Sequence, residues 1–246
     1  MRATGRLAGH SEDLALASDP QAKGSDLHDM ATTCLERVAF NYRGKSEQPC
    51  MDILVAIAGN PSITKETTRL LLDALYDSER VDLAEAFGGN PARFLGRLED
   101  PLLSEKVDEA VAVFTTDPNH LRELAFHGSA DVRASVASNE RTPRDILQAL
   151  ARDPDKDVQD RLIGIDNLTV QKMLATSQFE QIRTSLAEHT TLGDVLDILA
   201  DDADAEVRYL VEQNDHTWKK TRKRMDERSG DLAVEERSDL EIASDP

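Results

Sequence analysis

Apolar positions recur along this chain at intervals of about 25 residues, and this periodicity is the strongest pattern in the sequence. Counted from Val132, the equivalent positions run from Ile53 to Val207. They are Ile53, Leu83, Val107, Val132, Val158, Ile182 and Val207. A period of this length is typical of repeat proteins, whose units stack on one another and share a core.

A second apolar column lies four residues after the first and predicts a helix in every unit. Its members are Ile57, Phe87, Val111, Val136, Leu162, Leu186 and Val211. A spacing of four residues places the two columns on one face of a helix.

Asparagine stands seven residues after the reference position in four of these units. The four residues are Asn60, Asn90, Asn139 and Asn214. Asparagine tolerates the left-handed backbone conformation and hydrogen-bonds its local backbone, so we interpret it as a helix-ending residue. A catalytic asparagine would not recur in this way, and we therefore expect a structural role.

A second helix is predicted in each unit from apolar residues at helical spacing. Examples are Phe94, Leu95 and Leu98, and Ile146, Leu147 and Leu150. Prolines that end or open helices stand in the connecting turns, at Pro61, Pro91, Pro118 and Pro143. No segment shows the alternation of a strand. The sequence therefore predicts an all-α fold, an α-solenoid of about seven two-helix repeats with no sheet.

The clearest repeat, from Val132 to Pro154, also resembles a known family. It reads Val-Arg-x-x-Val-Ala-x-Asn-x-x-Thr-Pro-x-x-Ile-Leu-x-x-Leu-Ala-x-Asp-Pro. This pattern resembles the leucine-rich repeat variant family, which is similar in appearance to HEAT repeats. The resemblance extends over about residues 52–214 and implies a right-handed superhelix with two helical segments per unit, one of which can be 3₁₀.

One type of member in that family carries an N-terminal iron–sulfur cluster on clustered cysteines. This chain has only Cys34 and Cys50. A four-iron cluster normally needs four thiolates. We therefore expect no such cluster, and no other cofactor is indicated.

Arginine follows the reference position in three later units, at Arg133, Arg183 and Arg208. The residue before the reference position is acidic in five of the seven units, as at Asp131 and Glu206. This pattern favours a ladder of ion pairs between units, although exposed pairs contribute only about 0–1 kcal/mol each. The alternative is that the three arginines contribute to a partner-binding surface.

The predicted domain organisation places the repeats in the middle of the chain. We expect a disordered tail over 1–24, a capping helix and loop over 25–50, and the repeat domain over 51–217. A basic C-terminal helix follows over 218–230, and an acidic disordered tail over 231–246. Stretches of small or charged residues without periodicity are typical of disorder.

The basic segment is a second candidate for a partner surface. Its residues are Trp218, Lys219, Lys220, Arg222, Lys223 and Arg224. Three interpretations remain open at this stage. The segment caps the repeats, or the acidic tail masks it, or it docks an acidic partner or nucleic acid.

Composition restricts the function further. The formal net charge is −18 and the sequence pI is about 4.7. This balance makes nucleic-acid binding unlikely, because phosphate attraction requires a basic face. No apolar run reaches the length that spans a membrane, and two cysteines suit a reducing compartment. We expect a cytoplasmic protein.

No catalytic or metal-binding motif is apparent. His120, His127 and His189 lie in different repeats, without the spacing of zinc ligands. We therefore expect no catalytic residue, no metal and no cofactor. The predicted function is a non-catalytic repeat scaffold that binds a protein or peptide partner. The alternative is a HEAT-like DNA-repair glycosylase or another nucleic-acid-binding solenoid.

Overall fold

A computed structural model describes residues 9–39, 48–78, 80–90 and 100–228, and every structural statement below concerns these residues. They contain helices and turns but no strand. The prediction of an all-helical fold without a sheet is thus confirmed for this part of the chain. The chain divides into two compact units, Met1–Pro143 and Arg144–Pro246.

The first unit contains eight described helices. They are α1 (His10–Ser18), α2 (Gly24–Ala39), α3 (Gln48–Ala58), α4 (Lys65–Ser78), α5 (Val81–Gly88), α6 (Pro101–Phe114), α7 (Pro118–Leu124) and α8 (Ala130–Ser138). The first helices of successive repeats pack in one series, α1 on α3, α3 on α5, α5 on α6 and α6 on α8. In the same way, the second helix α2 packs on α4.

The second unit contains seven described helices. They are α9 (Arg144–Leu150), α10 (Lys156–Asp160), α11 (Leu168–Leu174), α12 (Glu180–His189), α13 (Gly193–Leu199), α14 (Ala205–Gln213) and α15 (219–228). Its first helices form the series α10, α12 and α14, and its second helices form the series α9, α11 and α13. None of the described helices in the chain is long and apolar enough to cross a membrane.

The two apolar columns form the core, as their periodicity predicts. All seven reference positions and all seven residues of the second column are buried. Burying a Val, Leu, Ile or Phe side chain stabilises a fold by about 1.5–3 kcal/mol. The register assigned from Val132 is therefore confirmed.

The N-terminal tail predicted for 1–24 differs from the structure. Helix α1 occupies His10–Ser18, and Ala17 at its end is fully buried. Its apolar residues are consecutive, from Leu14 to Ala17, so they form no helical stripe that the sequence could reveal. Together with α2, α1 makes an additional two-helix unit before the first predicted repeat, in place of a single capping helix.

Other predictions at the edges of the repeats have different outcomes. The loop predicted up to residue 50 is shorter, because α3 already begins at Gln48. The second helix predicted at Phe94, Leu95 and Leu98 lies outside the described residues, and so does the acidic tail over 231–246. Nothing in the structure tests them.

The repeated asparagines are structural, but their backbone differs from the one expected. Asn139 and Asn214 have extended backbones, with φ, ψ of −76°, 121° and −71°, 123°. Each of the four amides donates to carbonyl oxygens at the end of the preceding first helix. The shortest bonds join Asn60 to Ala17 (2.7 Å), Asn90 to Ala58 (2.7 Å), Asn139 to Ala112 (2.8 Å) and Asn214 to Ala187 (2.9 Å).

Candidate functional site

The three repeated arginines bind the backbone at the end of the preceding repeat. Arg133 donates to the carbonyl oxygen of His127, Arg183 to that of Ser177, and Arg208 to that of Asp202. In each case the acceptor lies six residues earlier, at the end of a second helix. Gln159, the equivalent residue of another repeat, bonds Asp153 in the same way. This geometry explains the repetition without a ligand.

Arg183 also forms an ion pair with Asp202, which follows the second helix of its own repeat. The guanidinium of Arg183 donates to both carboxylate oxygens of Asp202, at 2.7 and 3.1 Å. Burial opposes ionisation of Asp202, but hydrogen bonds from Arg183 and from the backbone N–H of Asp204 outweigh it. Together with the charge of Arg183, they hold the pKa of Asp202 below its usual value. Among the described residues, the acids that precede the reference positions do not form the predicted ladder of ion pairs with arginines of neighbouring repeats.

The basic segment packs as the second helix of the last repeat. Arg224 of α15 pairs with Asp197 and Asp201, at 3.2 and 3.3 Å, and Arg228 pairs with Asp201. Arg222 donates to the carbonyl oxygen of Asn214 at 2.8 Å. The sequence predicts a boundary between the repeats and a separate basic helix at residue 218. In the structure, α15 packs against the acidic side of the preceding repeat and thus folds with the repeats.

The remaining residues of the basic segment are exposed. Trp218 lies against Gly193, where an added Cβ would overlap the indole ring. Lys220 lies over this ring, with its Nζ 4.2 Å from the ring centroid. Lys223 pairs with Glu227 one turn later, and Lys219 is exposed. Of the nine residues that the sequence singles out, the three lysines, Arg224 and part of Trp218 are exposed to solvent, whereas the other four arginines are half-buried.

An open groove of about 500 Å³ lies between α4 and α6 in the first unit. Two of its apolar residues are exposed, Tyr76 by 46% and Leu102 by 66%. Arg69 and Asp100 form an ion pair at its edge, at 2.8 Å. Burial and the nearby charge of Glu109 raise the pKa of Tyr76, so its hydroxyl stays protonated at neutral pH. No local sequence pattern predicts this groove, because its walls belong to helices that are not adjacent in the chain.

Three titratable side chains of the first unit meet at the junction of two repeats. Glu85 comes from α5, Asp117 precedes α7, and His120 lies in the first turns of α7. One ligand atom from each can be chosen so that all three lie within 4.8 Å of one another. Oε2 of Glu85 is 3.3 Å from Nδ1 of His120, and Oδ2 of Asp117 is 4.0 Å from Nε2.

Protein donors fix the other oxygen of each carboxylate in this cluster. Oε1 of Glu85 accepts from the backbone N–H groups of Thr116 and Asp117, at 2.7 and 3.1 Å, and from the Thr115 hydroxyl at 3.0 Å. Oδ1 of Asp117 accepts from the N–H of Asn119 at 2.8 Å, as the N-cap of α7. The imidazole lies against Gly88, where a Cβ would overlap it.

The three histidines lie in different repeats, as the sequence predicts. His120, however, lies beside Glu85 and Asp117, which the sequence alone does not place near each other. His127 pairs with buried Asp108 at 3.5 Å, and exposed His189 contacts Ser185. Glu85 and His120 are distant in sequence and belong to successive repeats. Only the stacking of α5 on α6 and the turn before α7 makes them neighbours.

A family model matches a segment in the middle of the chain. Residues 130–155 match the family model described as leucine rich repeat variant. No curated protein and no solved structure matches the chain. The matched segment contains α8 and α9 and coincides with the repeat that is clearest in the sequence. The chain therefore carries a repeat of the leucine rich repeat variant type.

Proposed function

We propose that this helical repeat protein is a non-catalytic scaffold that binds a peptide segment of a protein partner. The observation that carries the proposal is the groove between α4 and α6. Its exposed Tyr76 and Leu102 stand beside charged residues of both signs, among them Asp73 and Lys106. Binding sites for peptides combine apolar anchoring surface with a few polar groups that fix orientation.

Charge indicates the chemistry of the partner. The chain carries a net charge of −18, which raises the association rate of positively charged partners and repels acidic ones. We therefore expect a segment with an apolar anchor residue and flanking basic residues. The Tyr76 hydroxyl can donate to a backbone carbonyl of this segment.

The packing of α15 engages its arginines within the repeats, so that Lys219, Lys220 and Lys223 are the basic side chains it leaves without a bond to the described residues of the preceding repeat. Arg222, Arg224 and Arg228 are bonded to Asn214, Asp197 and Asp201, so these guanidinium groups are already engaged within the repeat. Phosphate contacts require free basic side chains. No observation favours the glycosylase alternative over the scaffold.

A random-peptide display library, screened against the full-length protein, tests this proposal. The variant Leu102→Glu places a charge in the groove. The variant Leu168→Glu is the matched control, because Leu168 is also an exposed leucine, at 42%, but belongs to the second unit. We expect enriched peptides to lose at least tenfold in affinity for Leu102→Glu and to bind Leu168→Glu like the original chain. Equal binding to all three proteins, or no enrichment, would exclude the groove as the site.

A further inference from the structure

We propose that Glu85, Asp117 and His120 form a binding site for a divalent transition-metal ion, such as zinc, at the junction of two repeats. The three side chains supply two carboxylate oxygens and one imidazole nitrogen, which are ligands that zinc accepts. The proposal concerns the first unit and is independent of the peptide groove.

The arrangement of the carboxylates is the first argument. Each uses one oxygen to accept hydrogen bonds from its own surroundings and presents the other oxygen to the same imidazole. Such outer contacts hold ligating carboxylates in place around a metal ion. Glu85 and Asp117 are thereby oriented before any ion binds.

The imidazole is oriented in the same way. Nδ1 of His120 lies 3.3 Å from the Thr115 hydroxyl oxygen, which can accept its proton. Ring contact with Gly88 further limits its rotation. A histidine that donates from one nitrogen leaves the other as a metal ligand. Nε2 of His120 is then the ligand atom, and it is the nitrogen that lies on the side of Asp117.

Charge is the second argument. Among the described residues, His120 is the only basic side chain within ion-pair distance of Glu85 or Asp117. The three side chains are partly buried, with exposed fractions of 30%, 37% and 17% for Glu85, Asp117 and His120. Two partly buried carboxylates therefore share one imidazole, and a dication would neutralise the excess negative charge.

The geometry is close to that of a bound site. Ligand bonds of about 2.0–2.2 Å bring the ligand atoms of a tetrahedral zinc site to roughly 3.4 Å from one another. Here Oδ2 of Asp117 lies 4.0 Å from Nε2 of His120, and one ligand atom from each of the three residues lies within 4.8 Å of the others. A small movement of Oδ2 of Asp117, the most exposed of the three side chains, would shorten its distance to Nε2 while Oδ1 keeps its bond to Asn119. Three protein ligands leave further coordination positions for water.

Titration of the metal-free, full-length protein with zinc in a calorimeter tests the proposal. We expect one saturable equivalent. The variants Asp117→Asn and His120→Gln should each lower the affinity at least tenfold. The matched control is His127→Gln, because His127 also pairs with an aspartate, Asp108, but no third ligand lies beside it among the described residues. This control should bind like the original chain.

Two variants are used so that the titration still gives an answer if one of them does not fold. Asparagine at position 117 can still accept from the N–H of Asn119, so Asp117→Asn decides the question if His120→Gln does not fold. The proposal is wrong if the original chain shows no saturable binding, or if Asp117→Asn and His127→Gln bind zinc equally. It is also wrong if a tenfold excess of magnesium displaces the zinc, since a nonspecific acidic surface would prefer neither ion.

Discussion

The side-chain amide of Asn139 donates to the carbonyl oxygen of Ala112 at 2.8 Å, joining the ends of two first helices that are a full repeat apart. The same amide reaches the carbonyl oxygens of Val113 and Thr115, at 3.1 and 3.0 Å. Its own Oδ1 accepts from the N–H of Arg141 at 2.8 Å. One side chain therefore satisfies the end of one helix and the turn that follows the next.

We therefore predict that the side-chain N–H groups of Asn139, and not its Oδ1, contribute most of the stabilisation by this residue. Asn139→Asp keeps an oxygen for the N–H of Arg141 but removes the donor and places a negative charge beside carbonyl oxygens. We expect a loss of about 1–3 kcal/mol, the cost of leaving partly buried polar groups unsatisfied. Urea unfolding followed by circular dichroism measures it.

Asn119→Asp is the control for the added charge, because the structure gives the Asn119 side chain no such acceptors and only its backbone N–H is bonded to Asp117. This control should change the unfolding free energy by less than the substitution at Asn139. Equal effects of the two substitutions would show that the asparagine bonds between repeats contribute nothing specific.

The second prediction concerns the apolar column. Leu162 is fully buried in the second unit. Leu162→Ala removes these packing contacts and leaves a cavity, and we expect a cost of about 2–5 kcal/mol. Leu168→Ala provides the comparison, because Leu168 is 42% exposed and its truncation should cost much less. A thermal midpoint for Leu162→Ala that equals the midpoint of the original chain would contradict the assigned register.

Whether a feature of this architecture can be predicted from the sequence depends on how far apart in the chain the contacting residues lie. Val132 and Val136 lie one helical turn apart, so their periodicity alone shows which face is buried. Asn139 marks a helix end in the sequence, but its acceptor Ala112 is known only when two repeats are stacked. The sequence therefore indicates that the asparagine is structural and leaves its partner undetermined.

The contacts of the candidate metal site are even harder to predict from the local sequence. Asp117 is recognisable as an N-cap because Pro118 follows it. Nothing in the local sequence relates it to Glu85, because that contact depends on how one repeat packs on the next. Arg224 is a comparable case, since its basic neighbours suggest a charged surface, whereas Asp197 and Asp201 of the preceding repeat neutralise it.

The third prediction follows from the low pKa of Asp202. A carboxyl group whose pKa falls on folding contributes stability that is complete above its unfolded value, near 3.8, and is lost as the pH falls through the folded value. Asp202→Asn should therefore cost about 1–3 kcal/mol at pH 7, as expected for hydrogen bonds to a charged group. The difference from the original chain should shrink once the pH is below about 3.8.

Urea unfolding between neutral and acidic pH measures this difference. Asp194→Asn is the matched control, because the Lys172–Asp194 pair has a bond of 2.8 Å but is about 40% exposed on both sides. Exposed pairs contribute about 0–1 kcal/mol. If the two substitutions have the same cost at pH 7, burial of the Arg183–Asp202 pair has no energetic consequence.

The last prediction uses Trp218. It is the only tryptophan of the chain, so the tryptophan fluorescence reports on the surroundings of this residue alone. Its indole lies where a Cβ of Gly193 would be, so Gly193→Ala must displace the ring or the start of α13. We expect red-shifted emission, easier quenching by acrylamide and a loss of stability of about 1–3 kcal/mol, as for an overpacked contact. Gly164→Ala is the control, since a Cβ there meets no atom within 4 Å. If both substitutions leave the emission of Trp218 unchanged, the indole does not cover Gly193 in solution, and the residue that precedes α15 does not pack against the start of α13.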